Sequence, residues 1–289
     1  MEFVKLAGPF GTVFIMFALG LNLAFKDFIS ILKKPNNLIV GLFCQLLILP
    51  LLGLVLVKIY PMRQEFQLGV FLLLTLPSAV MSNYATKLVN GNVALSIILT
   101  SFCALTSFIT IPIFLKLFSI FVFVGSFELN LILFSIKMFL FITLPVILGV
   151  YLRHKFPKYI KEKTFALDKA ALYIFLFIIT YAIYTERMNL AGYFEDTGAI
   201  SFVIVCLVLT TVYLTTQIFV EDVDSRRAIR IEGLLQNGAM GIVVGAQIFS
   251  EVIYITPIAI YALIQYIILM FYIGNISIRK TKKKSESLF

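Results

Sequence analysis

The chain has 289 residues, of which 61% are hydrophobic and 13% charged. Soluble domains average about 45–50% apolar and about 25% charged residues, so these values and a mean hydropathy of +1.01 exclude a soluble globular protein and indicate a polytopic membrane protein. The net charge of +9 does not point to a nucleic-acid partner, because the basic residues stand between apolar runs, where they read as topology signals.

A spanning helix needs about 20 apolar residues. By that measure nine spans are predicted, near 4–25, 37–59, 66–89, 92–115, 128–153, 166–186, 197–219, 227–250 and 252–278, with a basic tail at 279–289. No signal-peptide cleavage pattern precedes the first run, which is read as a mature span. Lys33, Lys34, Arg153, Lys155, Lys158, Arg226, Arg227 and the tail lysines all fall on one side. Only Lys5, Lys58, Arg63, Lys116 and Arg187 fall on the other. The positive-inside rule then puts the N-terminus outside and the tail in the cytoplasm of a plasma (inner) membrane.

In the second span Gln45 is a lone amide, suited to one interhelical hydrogen bond or to offering its oxygen to a cation. The third span is interrupted at Pro77-Ser78, and Ser82-Asn83 follow at membrane depth. Proline removes a helical donor and clashes with the preceding turn. In the fourth span Asn92, Ser96 and Thr100 recur every four residues and line one helix face. Small hydroxyl residues also let helices pack closely, so for Ser96 and Thr100 packing and ligation stand level; Ser101, Thr106 and Ser107 are read as packing residues. Lys137 can snorkel, and Asp168 and Lys169 are expected to be solvated near a cytoplasmic end. Cys44, Cys103 and Cys206 lie in apolar runs without metal-ligand spacing. The single histidine, His154, stands in the basic cluster Arg153-His154-Lys155.

The eighth span carries Ile231-Glu232-Gly233-Leu234-Leu235-Gln236-Asn237-Gly238, a carboxylate followed by an amide pair and glycine inside an apolar run. A carboxylate at membrane depth is costly and marks a functional site by default. Glu232 is read as a cation ligand. Two interrupted helices, one in each half of the chain, point to a midplane site built on inverted repeats. Half-helix N-termini beyond the breaks, near Ser78 and near Asn237 and Gly238, would attract an anionic substrate.

Several blocks together resemble the bile acid:sodium symporter family, in its nine-span form: Phe17-Ala18-Leu19-Gly20-Leu21-Asn22-Leu23 with Lys34-Pro35, Gln45 with Pro50, Ser82-Asn83 with Gly91-Asn92-Val93-Ala94-Leu95-Ser96 and Thr100-Ser101, and Ile231-Glu232 with Gln236-Asn237. The resemblance implies an all-α fold of two inverted repeats, divided into a core and a panel, with two crossing broken helices. Core helices are expected at about 37–115 and 166–250, and panel helices at about 4–25, 128–153 and 252–278. It also implies two sodium ions. One would be held by Ser82, Asn83, Ser96, Thr100 and Glu232, the other by Gln45, Glu232, Gln236 and the carbonyls of Gly233 and Leu235. A substrate would meet Ser78, Asn237, Gly238 and Gln265. The sequence departs from the family pattern at Ser78-Ala79-Val80 and at Ile264-Gln265, both near the expected substrate cavity.

The leading expectation is a monomeric sodium-coupled symporter of an organic anion, either a bile-acid-like steroid or a small hydroxy or keto acid such as pantoate. The alternatives are a proton-coupled carrier using Glu232, and a sodium-regulated receptor or channel. Enzymatic function is disfavoured, since no HExxH motif and no pair of aspartates within spans occurs.

Overall fold

The computed structural model describes residues 2–22, 35–122, 130–185, 187–249 and 252–286. Among these there is no strand. Helices α1 (Glu2–Leu21), α2 (Pro35–Ile59), α3 (Gln64–Thr75), α4 (Met81–Leu88), α5 (Val93–Phe121), α6 (Leu131–Lys155), α7 (Pro157–Thr185), α8 (Leu190–Phe219), α9 (Val223–Leu234), α10 (Gly238–Ile248) and α11 (Thr256–Glu286) follow in order. Five segments are long and apolar enough to cross a membrane: Pro35–Ile59, Val93–Phe121, Leu131–Lys155, Ala191–Phe219 and Thr256–Ile276. Gly8–Leu21 and Gly238–Ile248 are shorter apolar helices. The expected third and eighth spans are each two half-helices, α3 with α4 and α9 with α10, so neither is one continuous rod.

Two of the long helices carry a π turn, at Cys44–Ile48 in α2 and at Phe139–Thr143 in α6. In each a proline, Pro50 or Pro145, follows at once. Proline has no N–H to give and its ring crowds the carbonyl four residues back. The wider turn relieves this by letting Leu49 N–H reach back five residues to Cys44 O, and Leu144 N–H to Phe139 O.

Two segments bear on how the helices pack. The segment expected in the core at 166–186 belongs to α7, which packs on α1 beside α6. The segment expected in the panel at 252–278 belongs to α11, which packs on α8, α3 and α10. Small residues allow the close approaches. A Cβ at Gly20 would stand 2.3 Å from Val146 O, and one at Gly149 2.4 Å from Phe17 O, so α1 and α6 touch backbone to backbone. On the other side, a Cβ at Gly238, Gly241 or Gly245 would come within 2.9 Å of Ala262, Ile258 or Ile255 of α11 or the turn before it. Helices α1, α6 and α7 thus pack on one another, and α11 packs around the breaks.

Candidate functional site

The two breaks cross and complete each other's hydrogen bonds. Ala79 N–H donates to Leu235 O at 3.0 Å, and Asn237 N–H to Pro77 O at 3.2 Å. Ser78 and Gln236 thereby face each other as an isolated antiparallel bridge. Unwound backbone survives in a membrane only when its polar groups are satisfied by protein, and here each half-chain satisfies the other. Gln265 of α11 straps the junction from the side: its Oε1 accepts from Gln236 N and its Nε2 donates to Gln236 O, both at 2.9 Å. Gly238 N–H also donates to Gln236 O, so Gln265→Ala leaves one buried N–H, that of Gln236, unpartnered. The expected cost is about 1–3 kcal/mol, read as a lower melting temperature of the purified protein. An unchanged melt would mean that water or a neighbour replaces the strap.

Glu232 is fully buried. Its Oε1 accepts from the Ser82 and Ser96 hydroxyls, and its Oε2 accepts from Thr100 at 2.7 Å. Ser96 and Thr100, four residues apart, come from one face of α5, and Ser82 comes from α4. The Asn92 side chain caps α5 by accepting Leu95 N–H at 3.1 Å. Asn92 N–H meanwhile donates to Asp224 O at the start of α9. Asn92 thus both caps α5 and ties its start to the helix that carries Glu232.

Oxygen outnumbers hydrogen in this cluster. Asn83 Oδ1 lies 2.9 Å and Thr86 Oγ1 3.2 Å from Ser96 Oγ, yet Ser96 has a single hydroxyl proton to share between Glu232 and Asn83. Thr100 Oγ1 is likewise 3.1 Å from Ser96 O. A cluster of carboxylate, amide and hydroxyl oxygens with too few protons suits a hard cation. The described residues contain no group of three or more His, Cys, Asp or Glu that could hold a metal, so the donor set favours an alkali or other hard ion over a transition metal.

All five residues expected in the first ion site, Ser82, Asn83, Ser96, Thr100 and Glu232, are therefore neighbours, and Thr86 joins them. The second expected set is only partly assembled. Gln45 Nε2 donates to Ser78 Oγ at 2.6 Å, and Ser78 in turn donates to the main-chain O of Glu232 at 2.9 Å, so Gln45 reaches Glu232 through Ser78. The Leu235 carbonyl already accepts Ala79 N–H, and Gln236 Nε2 donates to Gly233 O at 3.0 Å. Gln236 Oε1, however, is buried and has no hydrogen-bond partner among the described residues. An orphaned buried acceptor one helical turn beyond Glu232 in sequence fits a cation.

Three of the expected substrate residues make contacts within the protein. Ser78 is buried and its hydroxyl serves Glu232; both ends of the Gln265 amide are taken by Gln236. Gly238 is a packing residue against Ala262. Asn237 does line a crevice between α1, α7 and the breaks, with a volume of about 30 Å³. Asp168 and Tyr84 line it too. Asp168, expected to be solvated, instead accepts from Asn22 Nδ2 at 2.7 Å and from the Tyr84 hydroxyl at 3.0 Å. Because α7 begins at Pro157, Asp168 lies about 16 Å along the helix. A larger groove of about 600 Å³ between α5 and α6, walled by Phe108, Pro112 and Phe139, is apolar and contains none of the ion-site residues.

A helical membrane protein with two crossing half-helix pairs around a buried carboxylate has the architecture of a secondary carrier. The sequence model of the Sodium Bile acid symporter family matches residues 9–192, and the chain belongs to that family. It is 28% identical to the "Uncharacterized sodium-dependent transporter YocS" of Bacillus subtilis (strain 168), over 82% of this chain and 72% of the relative. It is 26% identical to the "Probable sodium/metabolite cotransporter BASS1, chloroplastic" of Arabidopsis thaliana, over 86% of this chain and 61% of the relative. The "Probable sodium/metabolite cotransporter BASS2, chloroplastic" of Oryza sativa subsp. japonica is 31% identical over 52% of this chain and 35% of the relative. The chain thus spans less than two thirds of the chloroplastic relatives' length.

Proposed function

We propose that the protein is a sodium-coupled symporter of a small organic anion, crossing an inner membrane nine times with its N-terminus outside. The observation that carries this reading is the burial of Glu232 beneath three hydroxyl groups from the other half of the chain, beside oxygens with too few protons. Family membership and the relatives' names support the coupling ion.

In this reading one ion sits among Ser82, Asn83, Ser96, Thr100 and Glu232, and a second between Gln45, Glu232 and Gln236. Loading completes the oxygen shells and fixes the four half-helices against one another. The crevice beside the breaks holds only a water or two at about 30 Å³. Substrate therefore enters when α1, α6 and α7 separate from the core. Candidate substrates are steroid carboxylates and small hydroxy or keto acids such as pantoate. Two sodium ions with a monoanion move one net charge inward, worth about 2.3 kcal/mol per 100 mV.

The test is uptake of radiolabelled organic acids into proteoliposomes under a sodium gradient at fixed pH. Uptake indifferent to sodium but driven by a pH jump would replace this reading with proton coupling through Glu232. Counterflow of labelled substrate separates a carrier from a receptor or channel. Asn83→Ala and Gln45→Ala should each raise the sodium concentration for half-maximal uptake, by about tenfold for loss of one oxygen ligand to a charge. The two losses should add in free energy, because the residues serve different ions. Strong non-additivity in the sodium titration would collapse the two sites into one.

A further inference from the structure

The crevice at the breaks carries two polar groups of opposite kind. The Asn237 side chain is 2% exposed. Its Oδ1 is taken by Met240 N–H at 3.0 Å, which leaves the Nδ2 donor with no hydrogen-bond partner among the described residues. On the facing helix stands Asp168, held by Asn22 from α1 and Tyr84 from α4. It makes no ion pair among the described residues. The neighbouring Lys169 turns away, with its Nζ 4.5 Å from the Phe165 ring centroid. Most of the remaining wall is apolar, from Ile15, Val80 and Leu172 among others. A carboxylate has room for about four hydrogen bonds, and Asp168 receives two.

A bare anion entering this crevice would meet a like charge without compensation. A molecule with a carboxylate at one end and a hydrogen-bond donor close by would satisfy both walls: its oxygens accept from Asn237 Nδ2, and its donor meets Asp168. We infer that the transported ligand is a small carboxylic acid bearing a hydroxyl or ammonium group next to the acid, and that Asp168 selects for that donor against keto acids and plain steroid carboxylates. This inference rests on the carrier reading and narrows its substrate class. Asp168 reads the substrate; Tyr84 only steadies it, because its hydroxyl crosses from the core to α7 and must release when the two groups separate.

The experiment uses three acids of one shape: valine, 2-hydroxyisovalerate and 2-oxoisovalerate. Each is titrated against the full-length purified protein by thermal shift, in sodium and in potassium. Valine and the hydroxy acid should stabilise the protein in sodium, and the keto acid should bind about tenfold or more weakly, the ratio expected for one lost hydrogen bond to a charged group. Asp168→Asn should abolish the preference. Tyr84→Phe, which removes the same core-to-α7 hydrogen bond but keeps the carboxylate, should retain it. Equal binding of the keto acid by the native protein overturns the inference, as does loss of preference in Tyr84→Phe to the same degree as in Asp168→Asn. Binding of none of the three also overturns it. In that case, sodium-driven uptake of an acid without a donor group would leave the symporter itself standing.

Discussion

Glu232→Gln should abolish sodium-driven uptake while the protein stays folded. Glutamine preserves the shape of the buried side chain and one accepting oxygen, so the helices from the two halves still meet. What disappears is the only formal charge among the proposed ion ligands. At about 4 Å and an effective dielectric constant of about 20, one charge pair is worth about 4 kcal/mol. That corresponds to roughly three decades of sodium affinity. Thermal melts give a second, independent readout. A ligand that binds only the folded state raises stability by mass action, so the native protein should melt higher in sodium than in potassium, and Glu232→Gln should melt alike in both. Without sodium the variant should equal or exceed the native protein, because a buried carboxylate lacking a cation is costly. A sodium-dependent rise that survives the substitution would remove Glu232 from the ion site.

Gly20→Ala should strongly destabilise the fold. The added methyl would sit 2.3 Å from the backbone oxygen of Val146, and no rotamer change can relieve a clash with main chain. α1 and α6 must part, which also disturbs the reciprocal contact of Gly149 with Phe17 O. The expected loss is about 3 kcal/mol, the upper end for overpacking. Gly192→Ala is the control, since nothing stands within 4 Å of its would-be methyl. A Gly20→Ala protein that melts with the control would show that α1 can shift freely on α6, contrary to the packing described.

Much of the polar cluster around Glu232 was legible in the sequence because its residues are unusual where they stand or recur at helical spacing. Glu232, Ser82 and Asn83 are polar at membrane depth, Pro77 and Gly238 mark the breaks, and Ser96 with Thr100 keeps helical spacing. Hydropathy locates such residues without knowledge of neighbours. Which helices touch was not legible in the same way. The approach of α7 to α1 at Gly11, of α6 to α1 at Gly20 and Gly149, and of α11 to α10 at Gly241 depends on each glycine meeting a particular partner, and a glycine in an apolar run does not announce which helix it approaches. The partners of Asp168 were not legible for a related reason. The charged stretch Lys158–Lys163 suggests a loop, but it is the exposed first half of a continuous helix, which carries Asp168 inward to Tyr84 and Asn22. Thr86 escaped notice because a threonine near a helix end is ordinary. The hydrogen bonds of Ser78 and Gln265 were not legible either, because a buried hydroxyl or amide looks the same in sequence whether it meets a ligand or a neighbouring peptide group.

The mutual bridge between the breaks also constrains how the protein is made. Pro77 O and Ala79 N–H find their partners only at Leu235 and Asn237, and the paired Ser78 and Glu232 stand 154 positions apart. At about 5–20 residues per second, the ribosome needs roughly ten to thirty seconds to deliver the second half. During that interval the first broken segment has exposed peptide groups that lipid cannot solvate. It must wait in the insertion channel or beside water, and a chain that stalls before Leu235 presents a conspicuous target for membrane quality-control proteases.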